Sequence, residues 1–573
     1  MSGIFFSSKW AGPVGRVAPS LIVLACVLQA QSVTVTPQTV GANVDESLVT
    51  KIIFVDQSDP TASDSNSGAK SAPLLTISAA VSMALSANRS GAGVEVLIMP
   101  GTYRESASLV ANGSESTMPI VIEAQTPGSV VMAGSDVWGG WTAQVNGVYT
   151  HSWPYQWGLA PYPPGWAGNV TLEDIVRRRE MIFVNGVSLE QQLDPSLLAA
   201  GSFYVDETNG MVSLIPPAGT NMGSAEVEVS DRTNLLYISG MHNLVIRGLV
   251  FHHENSFIQQ GGPLQILNSA NILVDNCQLY WNSIGGPLVE GSNHITVQQV
   301  VSNYNAFSGM AGYQVMYSLF SNIQTSSNNW RGLAGDFTDW DTAGGKFLLM
   351  HHDVFQGYTA VGNSAPGFWL DTDNEDVLVQ NGNWTNNLLD GAFLEASEGP
   401  IQVSNSISAN NGGTGLLFGD AMAVALSGNI FYGNQGGQVM ISGQPGGRYV
   451  QNFETGQVYT VILNENISLS TSTISSATAA QAGLGTTLSS SEWALFLSTL
   501  ASDQNTWFNS ASTCVFQVLN GSLETLAQWQ GSTNEDLHST FTNPNFANPG
   551  SNNFSTNAAP SIAPPATVSA AAH

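Results

Sequence analysis

Short apolar strands alternate with polar, asparagine-rich turns along the middle of the chain. Six of them are NLVIRGLVF, NILVDNCQL, HITVQQVVS, DVLVQNGNW, PIQVSNSIS and AVALSGNIF, which begin at Asn243, Asn271, His294, Asp376, Pro400 and Ala423. The first three are spaced by 28 and 23 residues and the last three by 24 and 23. That period equals one coil of a parallel β-helix, whose coils bury their inward side chains against each other. The pattern predicts an all-β fold, a right-handed parallel β-helix.

Irregular segments divide this repeat into predicted regions. These are an N-terminal cap with the first coils (50–133), an inserted β-rich module (134–235), the β-helix core with the active site (236–465), and C-terminal coils with a helical segment (466–555). Asn-Gly pairs at 185–186 and 209–210 predict hairpins within the module. The polar, alanine-rich and proline-rich residues 556–573 predict a disordered tail.

The N-terminus has the features of an export signal. Lys9 and Arg16 precede the apolar run LIVLACVLQA, which ends at Ala30, a plausible cleavage point. Because the run is shorter than the ~20 residues of a spanning helix, residues 1–30 predict a cleaved signal peptide rather than an anchor. We therefore expect a secreted or periplasmic protein with no membrane attachment after cleavage.

The charge balance narrows the classes of partner. Acidic residues outnumber basic ones 42 to 14, for a net charge of −28. Such a surface repels nucleic acid and anionic lipid, and it leaves few cations with which to hold a polyuronic acid. Cys277 and Cys514 remain after signal cleavage, and their separation favours two buried thiols over a disulfide framework. The sequence carries no indication of an oligomeric state.

Two carboxylates recur at the coil period. Aligning LDTDNEDVLV with LEASEGPIQV places Asp371 over Glu395 with no gap, 24 residues apart. Neighbouring strands are about 4.8 Å apart, close to the ~5–5.5 Å between the carboxyl groups of a retaining glycosidase. Two acids this close resist ionising together, so one can act as a general acid. Trp369 and Phe393 flank the pair and are candidates to stack on a sugar ring.

Two other interpretations of the same acids stay open. The segment DTDNED could form a calcium loop with oxygen ligands from Asp371, Asp373 and Asp376. Alternatively, the acids could be ordinary surface residues of a solenoid. A calcium site would suit a polysaccharide lyase with a lysine or arginine base, and an inert surface would suit a glycan-binding adhesin.

The long insertion WRGLAGDFTDWDTAGG, residues 330–345, provides further candidates. Loops on the flank of a solenoid commonly build binding sites, so Trp330, Arg331 and Trp340 could contact substrate, with loop packing as the alternative. The neighbouring pair His351-His352 lies in a strand-like run, so only one ring can face outward. We expect packed or hydrogen-bonded histidines there and no metal site.

Two sets of motifs resemble known carbohydrate-active proteins. DSNSG, SAPLLTISAAV and VLIMPGTYRE (64–105) are similar to the N-terminal cap of secreted right-handed β-helix enzymes. GFWLD and FLEASEGPI resemble the paired motifs of family 120 glycoside hydrolases, the β-xylosidase family. The resemblance implies a retaining enzyme with Asp371 as nucleophile, Glu395 as acid/base and Asp341 as a supporting acid. TDNED after Asp371 is more acidic than the family pattern.

These observations predict a secreted retaining glycoside hydrolase. Its expected substrate is a neutral plant-type oligo- or polysaccharide, cleaved in a β-xylosidase-like reaction that requires no cofactor. The alternatives are a calcium-dependent polysaccharide lyase on the same scaffold and a non-catalytic, glycan-binding solenoid.

Overall fold

The computed structural model describes residues 39–556. The predicted signal peptide, residues 1–30, and nearly all of the predicted tail, 556–573, lie outside the described residues. Between these limits the chain winds as a coil whose strands stack in parallel on three faces. The predicted parallel β-helix is confirmed. In the described part of the chain, no helix is long and apolar enough to span a membrane.

The first face extends from the first described strand to the C-terminal coils. Its strands are Val49–Val55, Gly93–Ile98, Ile120–Ala124, His242–Arg247, Ala270–Asp275, Asn293–Gln298, Leu319–Ser321, Val354–Gln356, Val377–Gln380, Ile401–Ser404, Val424–Ser427, Ile467–Ser470 and Ala501–Asp503. Neighbouring strands of this face pair in parallel, as where Val377 lies opposite Ile401.

The second face carries the candidate carboxylates. Its strands are Ala107–Val110, Asn234–Ser239, Gly262–Leu267, Leu288–Glu290, Met310–Met316, Gly345–His351, Phe368–Asp371, Ala392–Glu395, Leu416–Gly419, Val439–Ser442, Leu484–Thr486, Cys514–Gln517 and the antiparallel Leu523–Thr525. The third face comprises Gly101–Tyr103, Val130–Ala133, Leu249–His252, Gln278–Tyr280, Val301–Asn303, Gln324–Ser326, Thr359–Val361, Asn383–Thr385, Ile407–Ala409, Ile430–Tyr432, Thr473–Ser476, Thr506–Asn509 and Thr540–Phe541.

One continuous apolar core fills the coil and is closed at its N-terminal end by helix α1, Ile77–Arg89. Thr76 caps the helix by accepting a hydrogen bond from Ala79 N, and Val81 and Leu85 are among its buried side chains. Without this helix the first coil would expose apolar side chains and a strand edge to water. The predicted capping helix is therefore present.

Three short α-helices and two hairpins interrupt or follow the coil in the described part of the chain. The helices are α2, Trp330–Ala334, α3, Ser490–Thr499, and α4, Leu526–Thr533. Antiparallel hairpins form from Arg448–Gln451 with Val458–Ile462 and from Phe546–Asn548 with Asn553–Thr556. Helix α3 begins with a capping box between Ser489 and Glu492, which fits its serine-rich start.

Residues between the Ser135–Val137 and Val227–Ser230 strands form two small sheets with their own apolar core. One sheet consists of Ser135–Val137, Ile182–Val184, Val187–Ser188 and Val227–Ser230, and the other of Thr142–Ala143, Tyr149–Ser152, Glu190–Gln192, Ser202–Asp206 and Met211–Ile215. The Asn-Gly pairs at 185–186 and 209–210 lie in the turns of antiparallel pairs, as predicted. Cys277 and Cys514 are both free, the first buried and the second half-buried.

A ladder of buried asparagines fixes the register of the coils. Each side-chain amide donates to the Oδ1 atom of the asparagine on the next coil, at 2.8–3.2 Å, along Asn282, Asn305, Asn328, Asn363, Asn387, Asn411 and Asn434. The step from Asn328 to Asn363 is 35 residues because that coil contains the 330–345 insertion. The ladder therefore keeps one register on both sides of the insertion.

Replacing Asn387 with alanine should destabilise the β-helix. The change leaves Asn363 N and Nδ2 without their acceptor and Ala360 O without its donor, in a fully buried layer. Each buried group left unpaired costs about 1–3 kcal/mol. Urea unfolding should show a clearly lower midpoint than wild type, whereas Asn383→Ala on the same coil, a half-buried strand residue, should change it little. Equal midpoints for the two variants would contradict a register-setting role.

Candidate active site

Asp371 and Glu395 end two neighbouring parallel strands of the second face and pair with each other in register. Leu370 and Leu394 pair one residue earlier, as the gapless alignment predicts. Because side chains alternate along a strand, the leucines are buried in the core and both carboxylates lie on the outer surface. Each carboxylate side chain is about 15% exposed. The coil thus brings together two largely covered acids on one face.

Lys346 on the preceding coil contacts Asp371. Its Nζ lies 3.0 Å from Asp371 Oδ2, 3.4 Å from the centre of the Trp369 ring, and 2.5 Å from the Trp340 carbonyl oxygen, to which it donates. The lysine side chain is only 5% exposed. This buried ammonium group places a positive charge at ion-pair distance from the Asp371 carboxylate.

Glu395 is held by two donors. Trp369 Nε1 donates to Glu395 Oε2 at 3.1 Å, and Arg448 Nη1 donates to Oε1 at 2.5 Å. Burial and, to a smaller extent, the charge of Asp371 raise the pKa of Glu395 to about 7, against the opposing effects of Arg448 and Lys346. Glu395 is therefore protonated in a large fraction of molecules near neutral pH.

Asp341 lies close enough for its charge to interact with Lys346 and Asp371. Burial raises the pKa of Asp341 to about 6, with Lys346 acting in the opposite direction and Asp371 in the same one. Gln259 Nε2 donates to Asp341 Oδ2 at 3.2 Å. The structure thus places the third predicted acid at the same site. A cavity of about 40 Å³ lies beside it, lined in part by Gln259, Asp341 and Lys346.

Arg448 was not predicted from the sequence. It begins the hairpin strand Arg448–Gln451, and its Nε donates to Asp420 Oδ2 at 2.9 Å while its Nη1 reaches Glu395. Asp420 directly follows Gly419, the residue that pairs with Glu395 on the next coil. Arg448 lies in an insertion 53 residues after Glu395, so the coil period does not indicate that the two side chains meet. Lys346, by contrast, lies 23 residues before its register partner Trp369, and extending the alignment by one coil would have found it.

The two predicted stacking residues occupy the site in different ways. Trp369 stacks on Phe393 with ring centres 4.9 Å apart and an angle of 28° between the planes. Trp369 is only 4% exposed and its other contacts are Lys346 and Glu395, so its ring orients the acids and offers little surface to a ligand. Phe393 is half-buried and retains some exposed surface.

Two residues of the 330–345 insertion pack rather than face a ligand. Arg331 is fully buried, and its guanidinium donates to the carbonyl oxygens of Arg178 and Glu180 at 2.6 and 2.7 Å. The expectation that Arg331 contacts substrate is therefore wrong: it fastens the inserted module to the coil. Trp330 packs in an apolar cluster and donates through Nε1 to Tyr304 O at 3.0 Å. Trp340 is half-buried and reaches the site through its carbonyl oxygen.

The acids of the proposed calcium loop have separate nitrogen partners. Asp371 binds Lys346, while Asp373 Oδ2 accepts a hydrogen bond from Phe453 N at 2.8 Å. Asp376 Oδ2 lies 2.9 Å from His352 Nδ1. The hypothesis of calcium held by Asp371, Asp373 and Asp376 stays a prediction.

Residues 264–452 match a family model described as right handed beta helix region. A search of curated proteins found no match. Among solved structures, a protein named XylC in complex with xylose is 14% identical, with 87% of each chain covered and a TM-score of 0.65. A glycoside hydrolase is 11% identical over 69% of this chain and 96% of its own, with a TM-score of 0.50. The mannuronan C-5 epimerase AlgE4 A-module of Azotobacter vinelandii is 13% identical over 86% and 100%, with a TM-score of 0.45. The family model and the similarity to XylC confirm the predicted right-handed β-helix fold.

Proposed function

We propose that this protein is an exported glycoside hydrolase that cleaves a glycosidic bond with retention of configuration. The observation that carries the proposal is the in-register pair Asp371 and Glu395 on adjacent parallel strands. Strand spacing alone brings such a pair to about 4.8 Å, which suits the direct attack of a carboxylate on the anomeric carbon and leaves too little room for the water of an inverting mechanism.

Asp371 is the proposed nucleophile. Its Oδ2 atom lies 3.0 Å from Lys346 Nζ, and this contact would hold the carboxylate in place for attack on the anomeric carbon. Attack breaks the bond to the leaving oxygen and forms a glycosyl ester on Asp371.

Glu395 is the proposed acid/base. Its raised pKa of about 7 allows it to protonate the leaving oxygen in the first step. It then accepts a proton from the water that hydrolyses the ester. Formation of the ester neutralises Asp371 and removes the charge that raises the pKa of Glu395, which suits this change of role.

Asp341 is the proposed supporting acid. Its pKa of about 6 leaves it partly protonated at neutral pH, and it lies on the Lys346 side of the pair. Asp341 would therefore accept a hydrogen bond from a sugar hydroxyl next to the reacting carbon, or donate one to it when protonated.

The proposed substrate is a neutral, xylose-containing glycan. The two basic side chains at the site, Lys346 and Arg448, already bind Asp371 and Glu395, so neither is free to hold a uronate. XylC, the similar solved structure with the highest TM-score given above, is complexed with xylose. Export is proposed from the charged and apolar pattern of residues 1–30.

Replacing Glu395 with alanine should abolish turnover of glycosides with poor leaving groups, because these need protonation. A screen of aryl glycosides should show retained cleavage of an activated nitrophenyl substrate and rescue by azide, with the azide adduct keeping the substrate's configuration. Asp371→Ala should lose both activities, and Glu290→Gln, a half-buried carboxylate three coils before Asp371, should keep them. Absence of glycoside turnover by folded wild type, or an ultraviolet-absorbing unsaturated product, would contradict the proposal.

Replacing Arg448 with methionine should move the alkaline limb of the pH profile of kcat/KM to higher pH. In wild type this limb lies where Glu395 loses its proton, near pH 7. Removing the guanidinium raises the pKa of Glu395, since an adjacent opposite charge lowers a carboxyl pKa by about 1–3. Arg89→Met, which removes an ion pair with Glu115 at the cap, is the control and should leave the limb in place. A limb unchanged in Arg448→Met would exclude Glu395 as the titrating acid.

A further inference from the structure

A second polar cluster lies next to the acid pair, where the chain turns after the strands of the second face. His351, Glu375 and Glu398 come from three successive coils, and each offers one ligand atom within 4.8 Å of the others. Glu454, on the loop of the 448–462 hairpin, adds a carboxylate 3.3 Å from His351 Nδ1. Asp373 Oδ1 lies 3.3 Å from His351 Nε2. We call these five residues the turn cluster.

Three of the five residues of the turn cluster are buried, and the cluster has little positive charge to balance its acids. His351 and Asp373 are fully buried, and Glu398 is 3% exposed. In the chain from residue 39 to 556, no lysine or arginine lies within ion-pair distance of its four carboxylates. Asp373, Glu375 and Glu454 lie within ion-pair distance of His351, and Glu454 also of His352. Buried acids in such number need a cation or extra protons to coexist.

A carboxylate oxygen in the turn cluster has no hydrogen-bond partner. Glu398 Oε2 is buried without a partner, while Oε1 of the same group accepts from Asn452 Nδ2 at 3.1 Å. Asn452 Nδ2 also donates to Glu375. A buried acceptor with no donor is a feature expected of a ligand atom.

We propose that His351, Glu375 and Glu398 bind a divalent transition-metal ion such as Zn²⁺ or Mn²⁺, with Glu454 as a candidate fourth ligand. One imidazole with several carboxylates suits these ions better than Ca²⁺, which prefers oxygen ligands alone. Ligand atoms about 2.1 Å from one ion lie up to about 4.2 Å apart, so atoms within 4.8 Å need only small movements. Asp373 and Asn452 would orient the ligands from outside.

The ion would fasten the 448–462 hairpin to the coils. The hairpin supplies Glu454 and Asn452 to the turn cluster and Arg448 to Glu395. This inference goes beyond the proposed hydrolysis and does not rest on it. It differs from the sequence prediction of no metal at His351-His352, because the acids that complete the site come from other coils and from the hairpin.

A second His/Glu cluster provides an internal comparison. Glu228, His252 and His253 also offer atoms within 4.8 Å of one another. There Glu228 Oε1 already accepts from Arg104 Nη1 at 2.7 Å and from Ser135 Oγ at 2.9 Å. The Arg104 guanidinium already supplies the positive charge that a metal ion would bring, so we assign no metal to this cluster.

Metal content of the full chain tests the assignment. Purified protein is stripped with chelator, incubated separately with Zn²⁺, Mn²⁺ or Ca²⁺, freed of unbound ion, and analysed by mass spectrometry for ions per chain. Wild type should retain one Zn²⁺ or Mn²⁺ ion, and that ion should raise its thermal unfolding temperature. Glu398→Gln and Glu375→Gln should each bind at least about ten-fold more weakly and lose the temperature rise.

Matched controls are Glu290→Gln, a half-buried acid outside the cluster, and Glu228→Gln in the comparison cluster; both should bind like wild type. Folded wild type that retains neither Zn²⁺ nor Mn²⁺, or that binds Ca²⁺ alone, would overturn the assignment. Equal binding by wild type and folded Glu375→Gln would also overturn it, and this half-exposed position serves if Glu398→Gln does not fold.

Discussion

The register of parallel strands on successive coils is the constraint on which the candidate site depends. Side chains of equal position in the repeat stand one strand spacing apart, so any chemistry at such positions has its distance fixed by the backbone. The buried asparagine ladder maintains that register across the 35-residue coil that carries the 330–345 insertion. Asp371 and Glu395 therefore need no separate device to bring them together, and the surrounding residues only set their charges and orientations.

The charges at the site follow from where a highly acidic chain places its few cations. Lys346 contacts Asp371 and Arg448 contacts Glu395, so each acid has one basic partner. Arg448 lowers the pKa of Glu395, but burial and the charge of Asp371 raise it by more. A pKa of about 7 suits Glu395 to the proposed acid/base role.

The features that could be predicted from the sequence are those that depend on its repeat period. The coil length gave the fold and the pairing of Asp371 with Glu395, because a repeat of 23 to 28 residues with apolar alternation leaves few other architectures. Asp341, placed by the family resemblance, also lies at the site. Contacts formed between insertions did not follow from the period: Arg448 reaches Glu395 from a hairpin, and Arg331 turns toward the inserted module. These depend on how two irregular segments pack, which no local spacing specifies.

The central claim is that Asp371 forms a covalent bond to sugar. An activated 2-deoxy-2-fluoro glycoside of a sugar that the enzyme turns over slows release of such an intermediate, and mass spectrometry of intact and digested protein then locates it. The account predicts the mass of one fluorosugar on the peptide that contains Asp371, and none in Asp371→Ala. Label on another residue, or turnover of the parent glycoside with inverted configuration, would contradict it.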